Sequence, residues 1–308
     1  MNQLIESLKQ RFKSGEMHIK LIMVNVAFFV AVLLISIIFK FGNSNFDFYG
    51  FYSSSSDISS LLWKPWSVIT YMFSHSLDGI GHIFWNMFVL YFVGNLFIKQ
   101  LGNKKLLSVY LIGGFVGYLF FVLGYSFLPA FQGTGTLVGA SASVTAILVA
   151  IGVYTPNFEI RIPFVSQPIK LIYIVGIYVL LDLIRLQSSI GMHDANSGGW
   201  MAHLGGAFMG YLVISQLQKG NDWSKSIVQF VDWAKGLFSR QPKMNVSYKS
   251  EKKAPRKPKK TSTSSSSSAK KSSTSQEEID AILDKISEKG YDALSKDEKQ
   301  KLFNASNK

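Results

Sequence analysis

The chain contains no cysteine. Disulfides, thiolate metal sites and a cysteine nucleophile are therefore excluded, and any covalent nucleophile must be a hydroxyl, a carboxylate or a lysine. Charge is scarce as well, at 17% of 308 residues against 48% hydrophobic, and it is unevenly spread. Up to Gln218 there are 12 Lys+Arg and 8 Asp+Glu; from Lys219 onward there are 20 and 11, so +9 of the net +13 lies in the last 90 residues. That composition describes a membrane domain followed by a basic soluble tail. Internal repeats and broken apolar segments, which a transporter would need, are also missing.

What is present is a series of apolar segments. A membrane span needs about 20 predominantly apolar residues, and six segments meet or approach this: His18–Phe39, His82–Gln100, Lys105–Leu128, Leu137–Tyr154, Ile169–Leu186 and Trp200–Leu217. The expected fold is an all-α polytopic bundle. The first segment follows a basic stretch but is long and lacks a small-residue cleavage site, so it reads as a retained anchor. Lysine and arginine gather in the N-terminal tail (Lys9, Arg11, Lys13, Lys20), the second turn (Lys99, Lys104, Lys105), the fourth loop (Arg161, Lys170) and the C-terminal tail. The alternate loops carry little beyond Lys40 and Lys64. The positive-inside rule then puts both termini in the cytoplasm, and the lack of cysteine and compact size fit a bacterial inner membrane.

The domain plan expected from these patterns is an N-terminal segment 1–17, a membrane domain 18–218, a basic flexible linker 219–274 and a small helical tail 275–308. The loop Phe41–Gly81 carries Trp63, Pro65, Trp66, Tyr71 and Phe73, an aromatic density suited to the headgroup layer. The run Lys252–Lys271 has no side chain able to build a core and no aromatic to stack on nucleic-acid bases. Anionic lipid is the expected partner of that run, at about 1 kcal/mol per basic residue near the surface. In the tail, Ser275 with Glu278 and Ser295 with Glu298 are capping boxes. Ile279, Ile282, Leu283 and Ile286 recur at helical spacing before the stop at Gly290, which predicts a helical hairpin ending near Phe303.

Strongly polar groups inside spans are costly and point to function. In the second span His82 and Asn86 share a face one turn apart. The fourth holds Gly139, Ser141 and Thr145, and the sixth reads AHLGGAFMG, with His203, Gly206 and Gly210 on one face. Helices in lipid approach closely through small residues. A seam of Gly139, Ala142, Ala146 and Ala150 against Gly206 and Gly210 would bring Ser141 to His203, and a histidine base is a standard activator of a serine hydroxyl.

HIFWNMFVLYFVGN, GASA and AHLGGAFMG, in that order on the second, fourth and sixth spans, resemble the motifs of the rhomboid intramembrane serine proteases, over roughly residues 15–218. The resemblance implies Ser141 as nucleophile and His203 as general base, without a triad aspartate. It implies that Asn86, His82 and the Ser141 backbone N–H stabilise the oxyanion, with no cofactor. Substrates would be transmembrane segments of other membrane proteins, with helix-destabilising residues and a small residue at the cleaved position. The alternative is a catalytically inactive rhomboid-like binding or quality-control protein. Two positions depart from the family pattern: Ala142 stands where glycine is usual, and Thr145 where an aromatic often stacks on the histidine.

Other polar residues receive plainer readings. Ser143 lies about 200° from Ser141 on a helix and is assigned to packing. Asp182, with Arg185 one turn later and in reach for a local ion pair, is read as structural or gating in preference to the sharper alternative of a triad aspartate. His75 and His193 fall in loops and, with His82, match no zinc-binding spacing. His18 is expected at the interface.

Overall fold

The computed structural model describes residues 15–42, 47–77, 79–131, 133–161, 166–189, 197–238 and 276–306, together with Glu6, Lys9, Gln10 and Phe12. The chain divides into two compact units between Pro242 and Lys243. In the first, six helices follow the expected spans: α1 (Met17–Phe41), α2 (Gly81–Leu101), α3 (Asn103–Phe127), α4 (Ser141–Tyr154), α5 (Leu171–Ser189) and α6 (Ser197–Gln218). Helices α1, α2, α3 and α5 are long and apolar enough to cross a bilayer, with mean hydropathy of 1.4 to 2.9, and only 17% of the apolar window of α1 and of α5 is buried within the protein. Apolar surface of that extent does not stay in water. The molecule is an integral membrane protein built as an all-α polytopic bundle.

Helix α4 is the axis of the bundle. Its residues Ala142 to Gly152 are all buried, and small side chains let its neighbours come close. A Cβ added to Gly206 or Gly210 of α6 would strike the carbonyl oxygens of Ala142 and Ala146, respectively. A Cβ on Gly113 or Gly117 of α3 would meet the Cβ atoms of the same two alanines. Ala142 and Ala146 are thus clasped by glycine pairs from both sides, which is how backbones touch where lipid offers no hydrophobic drive. The glycines of α3 are a half of this seam that the sequence motifs did not single out.

Helix α4 is shorter than the expected span. It starts at Ser141, not Leu137, and its 14 residues extend only about 21 Å at 1.5 Å per residue. The preceding residues are extended: Thr136–Leu137 (β2) pairs antiparallel with Ser54–Ser55 (β1). A second two-stranded pair, Glu159–Ile160 (β3) with Ile169–Lys170 (β4), leads into α5. Gly139 therefore lies before the helix at φ +128°, a backbone conformation reserved for glycine, and does not belong to the α4 packing stripe.

The aromatic loop is ordered by three tyrosines. Tyr110 donates to the Met72 carbonyl at 2.6 Å, Tyr118 to Ser55 O at 3.0 Å, and Tyr71 to Gly114 O. Trp66 Nε1 donates to Phe51 O at 3.0 Å, while Trp63 is 81% exposed, as expected of an interfacial aromatic. His18 stands at the start of α1, as the second residue of that helix. It is buried, ring against Tyr91 at 5.9 Å, over Gly94 of α2, whose missing Cβ leaves the notch the imidazole fills.

The stretch read as the start of a flexible linker forms helix α7 (Ser224–Phe238). Its entry is tied to α3: Lys105 pairs with Asp222 at 3.2 Å and Ser108 Oγ donates to the Ser224 carbonyl at 3.3 Å. The basic run Lys252–Lys271, Ser275 and His193 lie outside the described residues.

The second unit is the expected hairpin, α8 (Gln276–Lys289) and α9 (Lys296–Ser306), with Gly290 at φ +78° closing the first helix. Ile282 and Leu294 are its buried contacts. The Ser295–Glu298 capping box is formed: Ser295 N–H donates to Glu298 Oε2 at 2.7 Å and Glu298 N–H to Ser295 Oγ at 3.3 Å. Lys285 also donates to both Glu298 oxygens at 2.9 Å. The Lys285 contact, followed by the bonds from Ser295, holds the Glu298 carboxyl down at about 2. A depressed carboxyl stabilises the folded state above the ordinary glutamate range, and that stabilisation is lost as pH falls from there through about 2. Acidification is expected to lower the protection of the α8 and α9 amides in the full-length chain, read as their exchange rate relative to an unstructured peptide at the same pH. The variant Glu298→Gln should already show the lowered protection at neutral pH and lose little more of it on acidification.

Candidate active site

The loop Val138–Ala140 aims the start of α4 into the bundle. Gly139 N–H donates to the Tyr71 carbonyl at 3.0 Å, so the ordered loop fixes where Ser141 stands. Ser141 is the first residue of α4, at a helix end whose leading N–H groups have no intrahelical acceptor and carry partial positive charge. A backbone N–H donor set is therefore present at the serine itself.

Two more helices deliver the other groups. His82 and Asn86 lie in the first turns of α2, and Asn86 Nδ2 donates to the His82 carbonyl at 2.9 Å. An amide nitrogen has two hydrogens, so one remains for a ligand. A Cβ built on Gly139 would be 2.9 Å from His82 Cε1 and 3.4 Å from Ser141 Oγ, so the imidazole and the hydroxyl both stand close to the same glycine. His203 arrives on α6 one turn before Gly206, whose contact is with Ala142, next to Ser141. The close approach of the two backbones thus falls within a turn of both residues.

Ser141, His203, His82 and Asn86 line one cavity of about 510 Å³, walled by Trp85 and Trp200. That volume is within the range of small-ligand sites. Ser143 faces away, towards Gly114 of α3, as its helical angle implied. His75 packs its ring edge-to-face on His82 at 5.2 Å. Burial, reinforced by the neighbouring His82, holds the His75 imidazole at about 3, so it is neutral there.

The expectations about Asp182 need correction. The local ion pair with Arg185 gives way to contacts with α6: Asp182 Oδ2 is 3.0 Å from His203 Nδ1, and Arg185 lies over the Trp200 ring at 5.1 Å. Trp200 in turn meets His203 edge-on at 5.2 Å and 90°. A carboxylate only accepts, which assigns the proton to Nδ1 and leaves Nε2 its lone pair. Thr145, where a stacking aromatic was missing, instead shares a 3.1 Å hydrogen bond with Tyr178 of α5. The sequence signal for Asp182 was its presence in an apolar span. Its partner was hidden because it lies on the next helix, 21 residues away.

Comparison with known proteins agrees with this architecture. The Rhomboid domain matches residues 62–219, just over half of the 308-residue chain. The chain belongs to the Rhomboid family. A Family of unknown function (DUF6576) matches residues 268–308, the tail hairpin. Two relatives from Arabidopsis thaliana are similar. RHOMBOID-like protein 12, mitochondrial, is 31% identical over 167 residues, covering 50% of this chain and 47% of its own length. Inactive RHOMBOID-like protein 8 is 27% identical over 138 residues, covering 37% and 39%, respectively. The chain thus spans less than half the length of these relatives.

Proposed function

We propose that the protein is an intramembrane serine endopeptidase that cuts transmembrane segments of other membrane proteins. The observation carrying this reading is that Ser141, at a helix N-terminus, and His203, with Nε2 free to accept, line a single cavity. Ser141 Oγ attacks the scissile carbonyl carbon as its proton passes to His203 Nε2. The tetrahedral oxyanion is met by the Ser141 N–H, the free Asn86 hydrogen and the His82 ring. His203 then gives its proton to the leaving amine, and the acyl-enzyme is hydrolysed by a water that His203 deprotonates. A helical carbonyl is hydrogen-bonded and shielded, so the bound segment must first unwind. No step calls for a cofactor.

Both termini are assigned to the cytoplasm by the basic residues at the α2–α3 turn and the tail, so the cavity, at the opposite end of α2, faces the other side. Anionic lipid is the proposed partner of the basic tail.

One relative is named inactive, which makes a binding module without catalysis the second reading. Purified protein in liposomes with a panel of single-span substrates separates the two. The protease reading expects discrete fragments from at least one substrate; the binding reading expects co-purification of intact substrate and no fragments. Asn86→Ala is expected to lower the rate roughly a hundred-fold or more through loss of an oxyanion donor, measured as kcat on the same substrate.

A further inference from the structure

We propose that Asp182 is a positioning residue: it holds the His203 imidazole in the tautomer and orientation needed to take the Ser141 proton. For its kinetic consequence this rests on the protease reading above.

The inference starts from a stripe on α5. Tyr178, Asp182 and Arg185 follow one another at four and three residues, so they share a helix face. Each is engaged with a residue of the site helices: Tyr178 with Thr145 of α4, Asp182 with His203, and Arg185 with Trp200, itself against His203. The rest of α5 is largely open to lipid, with 17% of its apolar window buried. Asp182 is one of its few buried residues, with Leu171, Val175 and Ser189, and its side chain is only 3% exposed. A carboxylate inside a span is costly and persists where it has a compensating partner, and here that partner is the candidate base.

The chemistry of the contact gives it direction. Asp182 accepts from Nδ1, which requires the Nδ1–H tautomer and leaves Nε2 as the basic atom. As His203 takes a proton at Nε2, the same carboxylate stabilises the imidazolium without itself being protonated. Trp200 stands against the ring edge and fixes its plane. Together these replace the stacking aromatic that Thr145 does not provide. Tautomer control is available only while α5 is docked on α6, because no other described contact to Nδ1 involves a carboxylate.

The decisive variants are Asp182→Asn and Asp182→Ala. Asparagine keeps the shape and a hydrogen bond, but its amide donates to Nδ1 and so selects the wrong tautomer. Positioning predicts that Asp182→Asn lowers kcat on the order of a hundred-fold or more, with KM nearly unchanged, and is no more active than Asp182→Ala. A packing role predicts the reverse order, with asparagine close to wild type, and that result overturns the proposal. Nitrogen-15 NMR of histidine-labelled full-length protein reads the tautomer directly, the His203 ring being assigned by its loss in His203→Gln. Wild type should carry its proton on Nδ1 and Asp182→Asn on Nε2. A wild type whose neutral His203 ring carries its proton on Nε2 refutes positioning whatever the cleavage assays give. A tautomer switch in a wild type that cleaves no substrate keeps the positioning and removes the protease reading.

Discussion

Ser141→Ala is expected to lower cleavage by on the order of 10⁴-fold or more. The substitution removes the only protein atom in the proposed mechanism that bonds to the substrate carbon, whereas the helix N-terminus and the Asn86 donor remain. His203→Ala should lose a similar amount, and the double variant little more than either single one, because nucleophile and base act as a unit and their contributions do not add. Folding should be unaffected: Ser141 is half-buried at the first turn of α4, and alanine is compatible with a helix start. Equal thermal stability with rates that collapse together is the expected pattern. Two single losses that multiply in the double variant would mean that the residues act independently.

Gly206→Ala is expected to destabilise the bundle by about 1–3 kcal/mol, the range for overpacking a tight contact, and to cut activity beyond the loss of folded protein. The added Cβ would strike the carbonyl oxygen of Ala142, with the Ala142 carbonyl carbon at 2.9 Å and Cα at 3.2 Å. These are backbone atoms of the most buried helix and cannot rotate away. Helix α6 must then retreat from α4, carrying His203 from Ser141, and a misplacement of about 1 Å can cost a hundred-fold in rate. Gly176 of α5 supplies the control, since nothing lies within 4 Å of a Cβ there. Alanine at that position gains helix propensity of up to about 1 kcal/mol and should be neutral or mildly stabilising. Thermal unfolding in detergent, with activity per folded molecule, distinguishes the two glycines.

The six main helices of the bundle were legible because apolar runs are local signals. The tail hairpin was legible for the same reason: capping boxes, a period of 3.6 and a terminal glycine all lie within a few residues of what they control. The α4–α6 seam could be read from Gly206 and Gly210 because a stripe of small residues in a span has few other uses. The start of α4 could not. Leu137 looks like any apolar helix residue, and only its pairing with Ser54, far back in the loop, makes it a strand. Gly139 was misassigned with it, since left-handed geometry leaves no mark in composition. Asp182 was noticed as an ionisable group inside a span, but its destination depends on how α5 is rotated against α6. The burial of His18 was not legible because Gly94, which makes room for it, lies on another helix. Helix α7 was lost in the charge of its surroundings, although Ile227, Val228 and Val231 already had helical spacing.

A fluorophosphonate reacts with a serine only when a base has activated it, so it tests the Ser141–His203 pair without any need to know the substrate. Purified wild-type protein should be labelled on Ser141, as read by mass spectrometry of the modified peptide, and His203→Ala should remain unlabelled. Equal labelling of wild type and His203→Ala, or an adduct on another residue in the Ser141→Ala variant, would contradict a nucleophile and base joined across α4 and α6.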